Sequence, residues 1–376
     1  MGLTSNTTLA VVILLAVLLF VGTVWWWPRL ARRTWRSVSG RVGLLLVTQV
    51  MLFASIGLFA NQAFGFYASW ADLLGRERGE GVVVDHDGAS GPGGGPLQVV
   101  DTEQVAVHGG ARPQTGGQLQ KIDIIGRTTR IATPAYVYLP PEYFQPRYRT
   151  RTFPAVTVLT GYPGTAKALV KALHFPQTAN RLVKEGRSQP MILVMLRPTV
   201  APPRDTECVD IPGGPQTESF FAKDLPEAVS AHYRVGGNPR SWGIIGDSTG
   251  GYCALKLAVH HPGVYAAGAG LSPYYKAPID RTTGDLFRGD KVLRDSADLR
   301  WYLRNRPAPD TSLLVTSSRA GESNYRDTLD FIELVKSKKP TRISSIILDS
   351  GGHNFNTWRR EIPGALQWLS GRLSDR

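Results

Sequence analysis

Gly246-Asp247-Ser248-Thr249-Gly250 sets one serine between two glycines. An apolar run at 242–245 leads in, and small and apolar residues at 252–259 lead out. Strand, tight turn and helix form the setting in which G-x-S-x-G presents a nucleophile. The glycines are needed because strand and helix must pass with little between them. The N-terminus of the following helix would aim N–H groups at an oxyanion formed beside Ser248. The chemistry this pattern implies is acyl transfer through an acyl-enzyme. A purely structural strand–helix turn is the plainer reading.

A serine nucleophile needs a base and an acid, and in this kind of site they follow it along the chain, acid before histidine. Seven histidines are present. His86 and His108 lie in glycine-rich sequence, and His174 and His232 precede the serine. His260 and His261 close the elbow helix, where a cation suits the helix C-terminus. His353 remains, in a glycine loop after the β-rich run 343–348, and is the expected base. Glu322 follows the strand-like run 312–316 and precedes the strand that delivers His353, so it is the expected acid. Its task would be to orient His353 and stabilise the imidazolium. Asp349, at the very end of the last strand, competes with it. Asp327 and Asp330 fall in a helical pattern and should face solvent. Two N–H donors should complete an oxyanion hole: Thr249, after the nucleophile, and Tyr162, in the loop 160–164 after the early strand 153–159.

Three further stretches carry a resemblance. Pro215-Gln216-Thr217-Glu218-Ser219-Phe220-Phe221, Asp224-Leu225-Pro226 and residues 266–275, taken with the elbow and the terminal histidine motif, make the chain similar to an esterase family of α/β-hydrolases. That family includes the mycobacterial mycolyltransferases and the esterase D-like enzymes. The resemblance covers roughly residues 120–374 and implies an α/β-hydrolase fold with Ser248, Glu322 and His353 as the triad. The chain departs from the mycolyltransferases at Thr249, where they carry methionine, and in the segment 204–210. Acyl chemistry therefore carries over and the acceptor does not. The expected activity is carboxylic ester hydrolysis on an acyl-ester substrate, lipid or glycolipid among the candidates. The alternatives are acyl transfer to a sugar or lipid hydroxyl, and an inactive envelope scaffold. No cofactor is expected, and two cysteines do not make a metal site.

The elements that must position these residues alternate. Segments 121–125 and 133–139 read as an antiparallel pair. Strands follow at 153–159, 191–196, 242–245, 266–271, 312–316 and 343–348, with helices at 178–185, 224–233 and 360–373. This alternation predicts a mainly parallel sheet covered on both faces. Residues 272–310, rich in Tyr, Trp, Arg and Asp, form a long insert that either lines a cleft or packs for stability. Trp358 either walls that cleft or belongs to the core.

Two apolar stretches precede this domain, at 8–27 and 42–71, and both lack charged residues. Each is long enough to span a hydrocarbon core of roughly 30 Å, which takes about 20 residues. Trp25, Trp26 and Trp27 end the first, and Phe66, Tyr67 and Trp70 end the second, as interfacial aromatics do. Arg29, Arg32, Arg33, Arg36 and Arg41 lie between them with no acid. Positive-inside logic places that loop in the cytoplasm and the later residues outside, on a multi-pass cell-membrane protein. A cleaved signal peptide is disfavoured, since no basic segment precedes the first stretch. The expected organisation is a membrane anchor over 1–72, a glycine-rich linker over 73–118 and a catalytic domain over 119–376. Val82–84 and Val99–100 are the only strand-like spots in the linker.

The formal net charge of the 376 residues is +13, yet no basic stripe interleaved with aromatics suggests a nucleic-acid partner. A basic outer face would suit anionic headgroups or envelope polymers, though a solvated surface explains it equally. The only cysteines are Cys208 and Cys253. An external domain permits a bond between them. Such a bond would pin the 204–210 loop to the elbow helix; two small buried residues is the alternative.

Overall fold

The computed structural model describes residues 6–31, 34–64, 95–202 and 204–375. The chain divides into two compact units, 1–78 and 79–376.

In the first unit, helices α1 (Asn6–Trp26) and α2 (Trp35–Phe64) form a hairpin, each long and apolar enough to cross a membrane. Hydrophobic side chains such as Leu18, Val21, Phe53 and Phe59 point outward, with more than half their surface exposed. Polar groups turn inward instead: Thr23 and Thr48 meet through their hydroxyls at 3.0 Å, between the helices. An unpaired hydroxyl in hydrocarbon is costly, so each also bonds the carbonyl four residues back. The second helix starts earlier than the charge pattern predicts, because Arg36 and Arg41 lie within its first two turns. Arg29 stacks over Trp25 at 5.0 Å and Arg41 over Trp27 at 5.9 Å. These arginines can sit at a headgroup boundary with their stems against aromatics. Phe66, Tyr67, Trp70, Arg32, Arg33, His86 and Val82–84 lie outside the described residues.

The second unit is built on a nine-stranded sheet in the order β1-β2-β3-β5-β4-β6-β7-β8-β9. β1 (Leu97–Gln104), β2 (Gln118–Ile125) and β3 (Ala132–Leu139) are antiparallel to their neighbours, as is β3 to β5 (Ile192–Leu196). From β5 onward β4 (Ala155–Leu159), β6 (Trp242–Asp247), β7 (Ala267–Leu271), β8 (Ser312–Ala320) and β9 (Arg342–Ser350) run parallel. Every residue of β4, β5, β6 and β7 is buried, as expected for strands covered on both faces. Along β4, Ala155 and Leu159 join the core of one face, while Val156 and Val158 join that of the other.

Helices α3 (Ala166–Lys171), α4 (Phe175–Lys184), α5 (Leu225–His232), α6 (Thr249–His260), α7 (Lys291–Ser296), α8 (Leu299–Asn305), α9 (Tyr325–Lys336) and α10 (Phe355–Ser370) cover the sheet. β8 runs to Ala320, past the expected end at 316, and two helix starts differ from the sequence expectation for local reasons. α4 begins at Phe175, since Pro176 is at home in a first turn. α10 begins at Phe355 because Asn354 caps it, accepting from Asn356 N–H at 3.0 Å and Thr357 N–H at 3.3 Å.

One larger correction concerns the expected linker over 73–118. Leu97–Gln104 is not a tether but the edge strand of the sheet, paired antiparallel with β2 across a register shift between Val99 and Asp101. Only Leu97 of this strand is buried, so its pattern carries no alternation a reader could recognise.

Candidate active site

β6 ends at Asp247 and α6 starts at Thr249, so Ser248 alone makes the turn, at φ 52° and ψ −119°. That strained conformation persists because the surroundings leave no alternative. A Cβ on Gly246 would lie 2.3 Å from the Gly250 backbone, and one on Gly250 would lie 2.4 Å from the Leu159 carbonyl oxygen. Ser248 N–H donates to the Leu271 carbonyl at 3.0 Å, tying the turn to β7.

His353 Nε2 lies 2.8 Å from Ser248 Oγ. The imidazole is half-exposed, at 49 %, and stands edge-on to Trp358 with ring centres 5.2 Å apart. Trp358 is itself buried, and its indole N–H donates to Ser272 Oγ at 2.9 Å. It serves core and site together.

Glu322 is 1 % exposed, with Oε1 3.7 Å from His353 Nδ1. Its Oε2 accepts from Ser318 N–H at 3.1 Å, which leaves Oε1 facing the histidine. Asp349, the competing acid, has a fully exposed side chain whose charged neighbour is Arg319 at 3.8 Å. The structure thus brings Ser248, His353 and Glu322 together and sets Asp349 aside.

The loop 160–164 arches over the serine. A Cβ on Gly161 would lie 2.9 Å from Ser248 Cβ, so only glycine permits this approach. Thr160 N–H donates to the Leu196 carbonyl and Gly164 N–H to the Gly161 carbonyl. Gly161 N–H donates to Asp247 Oδ2 at 2.9 Å. These three amides thus hold the loop to β5, to itself and to the end of β6. Thr249 opens α6, where first-turn N–H groups have no partner within the helix.

Several carboxyl groups here escaped sequence reasoning. Asp247 is 1 % exposed, and burial pushes its pKa up to about 7, against the pull of the Gly161 hydrogen bond and of His353. Glu361 is buried and raised to about 8 by burial, although it accepts from Thr316 Oγ1 at 2.7 Å. Glu207 is held well above the carboxylate range by burial and by Asp205, with the Tyr274 hydroxyl 2.7 and 2.6 Å from its two oxygens. Tyr274 in turn stacks on Tyr252 of α6 at 5.1 Å. Spacing along the chain gives no sign of these contacts, which join segments dozens of residues apart.

Cys208 and Cys253 are joined by a disulfide with Cα atoms 5.7 Å apart. Beside it, Lys256 Nζ donates to Glu218 Oε2 at 2.6 Å and to the Cys208 carbonyl. Glu218 also pairs with His260 at 2.8 Å and His261 at 2.9 Å. Burial pushes the Glu218 pKa up, but Lys256 and the two histidines hold it well below the usual range. The histidines at the end of α6 thus bind a carboxylate as well as closing the helix. In the insert 272–310, Tyr275 and Phe287 are buried, and Tyr275 stacks on Phe331 at 4.2 Å, so these aromatics pack for stability. Among the described residues no group of His, Cys, Asp and Glu side chains could hold a metal ion.

A parallel sheet with a serine on a strand–helix elbow and a histidine at a later strand end defines an α/β-hydrolase of the serine type. Residues 127–369 match the family described as Putative esterase, and the chain belongs to that family. Over 250 residues it is 23 % identical to an uncharacterised protein of Corynebacterium glutamicum, covering 64 % of this chain and 58 % of that one. Over 108 residues it is 25 % identical to S-formylglutathione hydrolase of Bos taurus, covering 28 % of this chain and 38 % of the bovine enzyme. The match thus spans less than two thirds of either relative. Among solved structures, a ferulic acid esterase superposes with a TM-score of 0.57 at 18 % identity, over 68 % of this chain and 98 % of the other. An S-formylglutathione hydrolase from Agrobacterium tumefaciens gives 0.57 at 17 %, over 73 % and 99 %. These likenesses show the fold.

Proposed function

We propose that this protein is a membrane-anchored serine carboxylic-ester hydrolase that works outside the cytoplasmic membrane through an acyl-enzyme on Ser248. One observation carries the reading: Ser248 Oγ and His353 Nε2 are 2.8 Å apart, with Glu322 buried behind the ring. His353 Nε2 takes the proton from Ser248 Oγ as that oxygen attacks the ester carbonyl. Glu322 steadies the imidazolium. The N–H groups of Thr249 and Tyr162 receive the oxyanion. Collapse expels the alcohol, which takes the proton from His353 and leaves Ser248 acylated. Water then attacks, His353 accepts its proton, and the acid departs as Ser248 is restored.

His353 is half open to solvent, so water reaches the base, which favours hydrolysis over transfer to a sugar or lipid hydroxyl. The printed names S-formylglutathione hydrolase and ferulic acid esterase point to a small thioester or an ester of an aromatic acid, and an ester of a lipid would fit an anchored enzyme. Anchoring rests on α1 and α2, and sidedness on the arginines between them and at the start of α2.

The test is turnover of p-nitrophenyl esters of short and long acids by the full chain in detergent, with Ser248→Ala beside it. The expected result is hydrolysis by the wild type and a loss of about 10⁴-fold or more in the variant. Equal turnover by both would overturn the reading. Sidedness is checked by labelling Arg304→Cys with an impermeant maleimide in intact cells; labelling only after lysis would place the domain inside.

A further inference from the structure

We infer that α2 pairs in the membrane with the α2 of a second copy of this chain, along a seam of Val42, Leu46, Phe53 and Ile56 with Gln49 at its centre. This names a partner for the proposed anchor and rests on the reading of α1 and α2 as membrane-spanning.

The short polar side chains of the hairpin find partners within it. Thr23, Thr48 and Ser55 each donate to the carbonyl four residues back at 2.8 Å, and Thr23 meets Thr48. Gln49 is different. Its side chain is exposed, and among the described residues its carboxamide has no hydrogen-bond partner. Successive residues lie about 100° apart round a helix, so Thr48 faces α1 while Gln49 turns away from it. Water is out of reach too. Gln49 lies eight residues past Arg41 and twelve before Asn61, where the apolar span ends. At 1.5 Å per residue those are about 12 Å and about 18 Å along the axis. This is near the middle of a hydrocarbon core roughly 30 Å thick, deeper than a glutamine side chain can span. An amide left unpaired there is costly, and a hydrogen bond to another helix relieves the cost.

The residues beside Gln49 fit one particular occupant. Val42, Leu46, Gln49, Phe53 and Ile56 are spaced four, three, four and three apart, the period of a two-helix seam. Each of the four apolar ones is half exposed or more. A second copy enters the membrane in the same orientation, so its Gln49 lies at the same depth. A carboxamide carries both donor and acceptor, so two of them across a two-fold axis satisfy each other with two N–H···O bonds. A single polar residue on such a seam also fixes its register. A different protein would need a matching polar group at that depth, which the second copy supplies by symmetry.

The experiment uses the full chain in phosphatidylcholine vesicles. Cys208 and Cys253 are joined to each other, so one added cysteine reports alone. Donor and acceptor dyes on Ala31→Cys, exposed between α1 and α2, read association by energy transfer as the protein-to-lipid ratio is varied. The expected result is transfer that falls when unlabelled chain is added. Gln49→Leu should weaken association by about 5- to 30-fold, and Gln49→Asn, which keeps the amide, by less. Leucine suits lipid better than glutamine, so a failure to insert would not explain the loss. Oxidative crosslinking reads the seam: Phe53→Cys and Ile56→Cys should give dimers. Val47→Cys, exposed on the far side of α2 from Gln49, should not. Transfer unchanged by Gln49→Leu, a wild type that stays monomeric in the vesicles, or crosslinking at Val47 as strong as at Phe53 overturns the pairing and leaves the anchor standing. A chain that a carbonate wash strips from the vesicles takes down the anchor and the pairing together.

Discussion

The two halves of the proposed catalytic centre are held in different ways. On the nucleophile side, Ser248 is fixed by backbone against backbone: Gly246, Gly250 and Gly161 each sit where a single added carbon would meet main-chain or Ser248 atoms at under 3 Å. On the base side, His353 rides a loop, is half-exposed, and meets its acid at 3.7 Å, longer than a hydrogen bond. The serine's position is therefore set by folding, while the histidine–acid contact is free to tighten when substrate excludes water. The nucleophile side should break by loss of stability and the base side by loss of rate.

On the base side, the variant that reads the histidine–acid contact itself is Glu322→Gln. It should lower kcat by about 10²- to 10³-fold with little change in thermal stability, since the acid of a triad contributes less than the serine or histidine. A drop as large as that of a serine variant would mean the contact is already tight without substrate. On the nucleophile side, Gly250→Ala should reduce stability by about 3 kcal/mol, because the new Cβ meets the Leu159 carbonyl rather than a movable side chain. Thermal melts in detergent would show it, and an unshifted midpoint would contradict the steric account.

Asp247 adds a pH-dependent test of the same side. Burial raises its pKa to about 7 from an ordinary 3.8, so between those values the folded protein holds a proton that the unfolded chain has released. Its contribution to stability is fully present below about 3.8 and is lost as pH rises through about 7. Asp247→Asn should therefore flatten the stability–pH curve and gain most on the wild type above pH 7. Melting midpoints at pH 5 and pH 8 that move in parallel for both proteins would count against a buried, proton-holding carboxyl. Smallest of all, Asp349→Asn should change kcat by less than about twofold, given its full exposure. A large loss there would reopen the choice of acid.

Much of this was legible in the sequence because the signals are local. The glycines around Ser248 state a steric requirement that needs no knowledge of the rest of the fold. The order of serine, acid and histidine follows the order of parallel strands. Of the strand at 97–104 only Val99–Val100 is legible as strand-like, because an edge strand with one buried residue has no period to read. Asp247 occupies an unspecified position of G-x-S-x-G, and its partner, Gly161, is brought to it only by the pairing of β4 with β6. Glu207 and Glu361 were illegible for the same reason: carboxyls buried by tertiary packing look like surface acids until the fold is known. The disulfide stood between these cases, for oxidation was permitted by place and composition but its geometry depended on the loop after β5.

The central claim is that Ser248 is a working nucleophile poised by His353. Its most direct test is mass spectrometry of the full chain after exposure to a fluorophosphonate, with His353→Ala as the second sample. The account predicts a single adduct on the peptide carrying Ser248 in the wild type, and labelling slower by at least about 10³-fold without the histidine. An adduct on another residue, or equal labelling in both proteins, would contradict it.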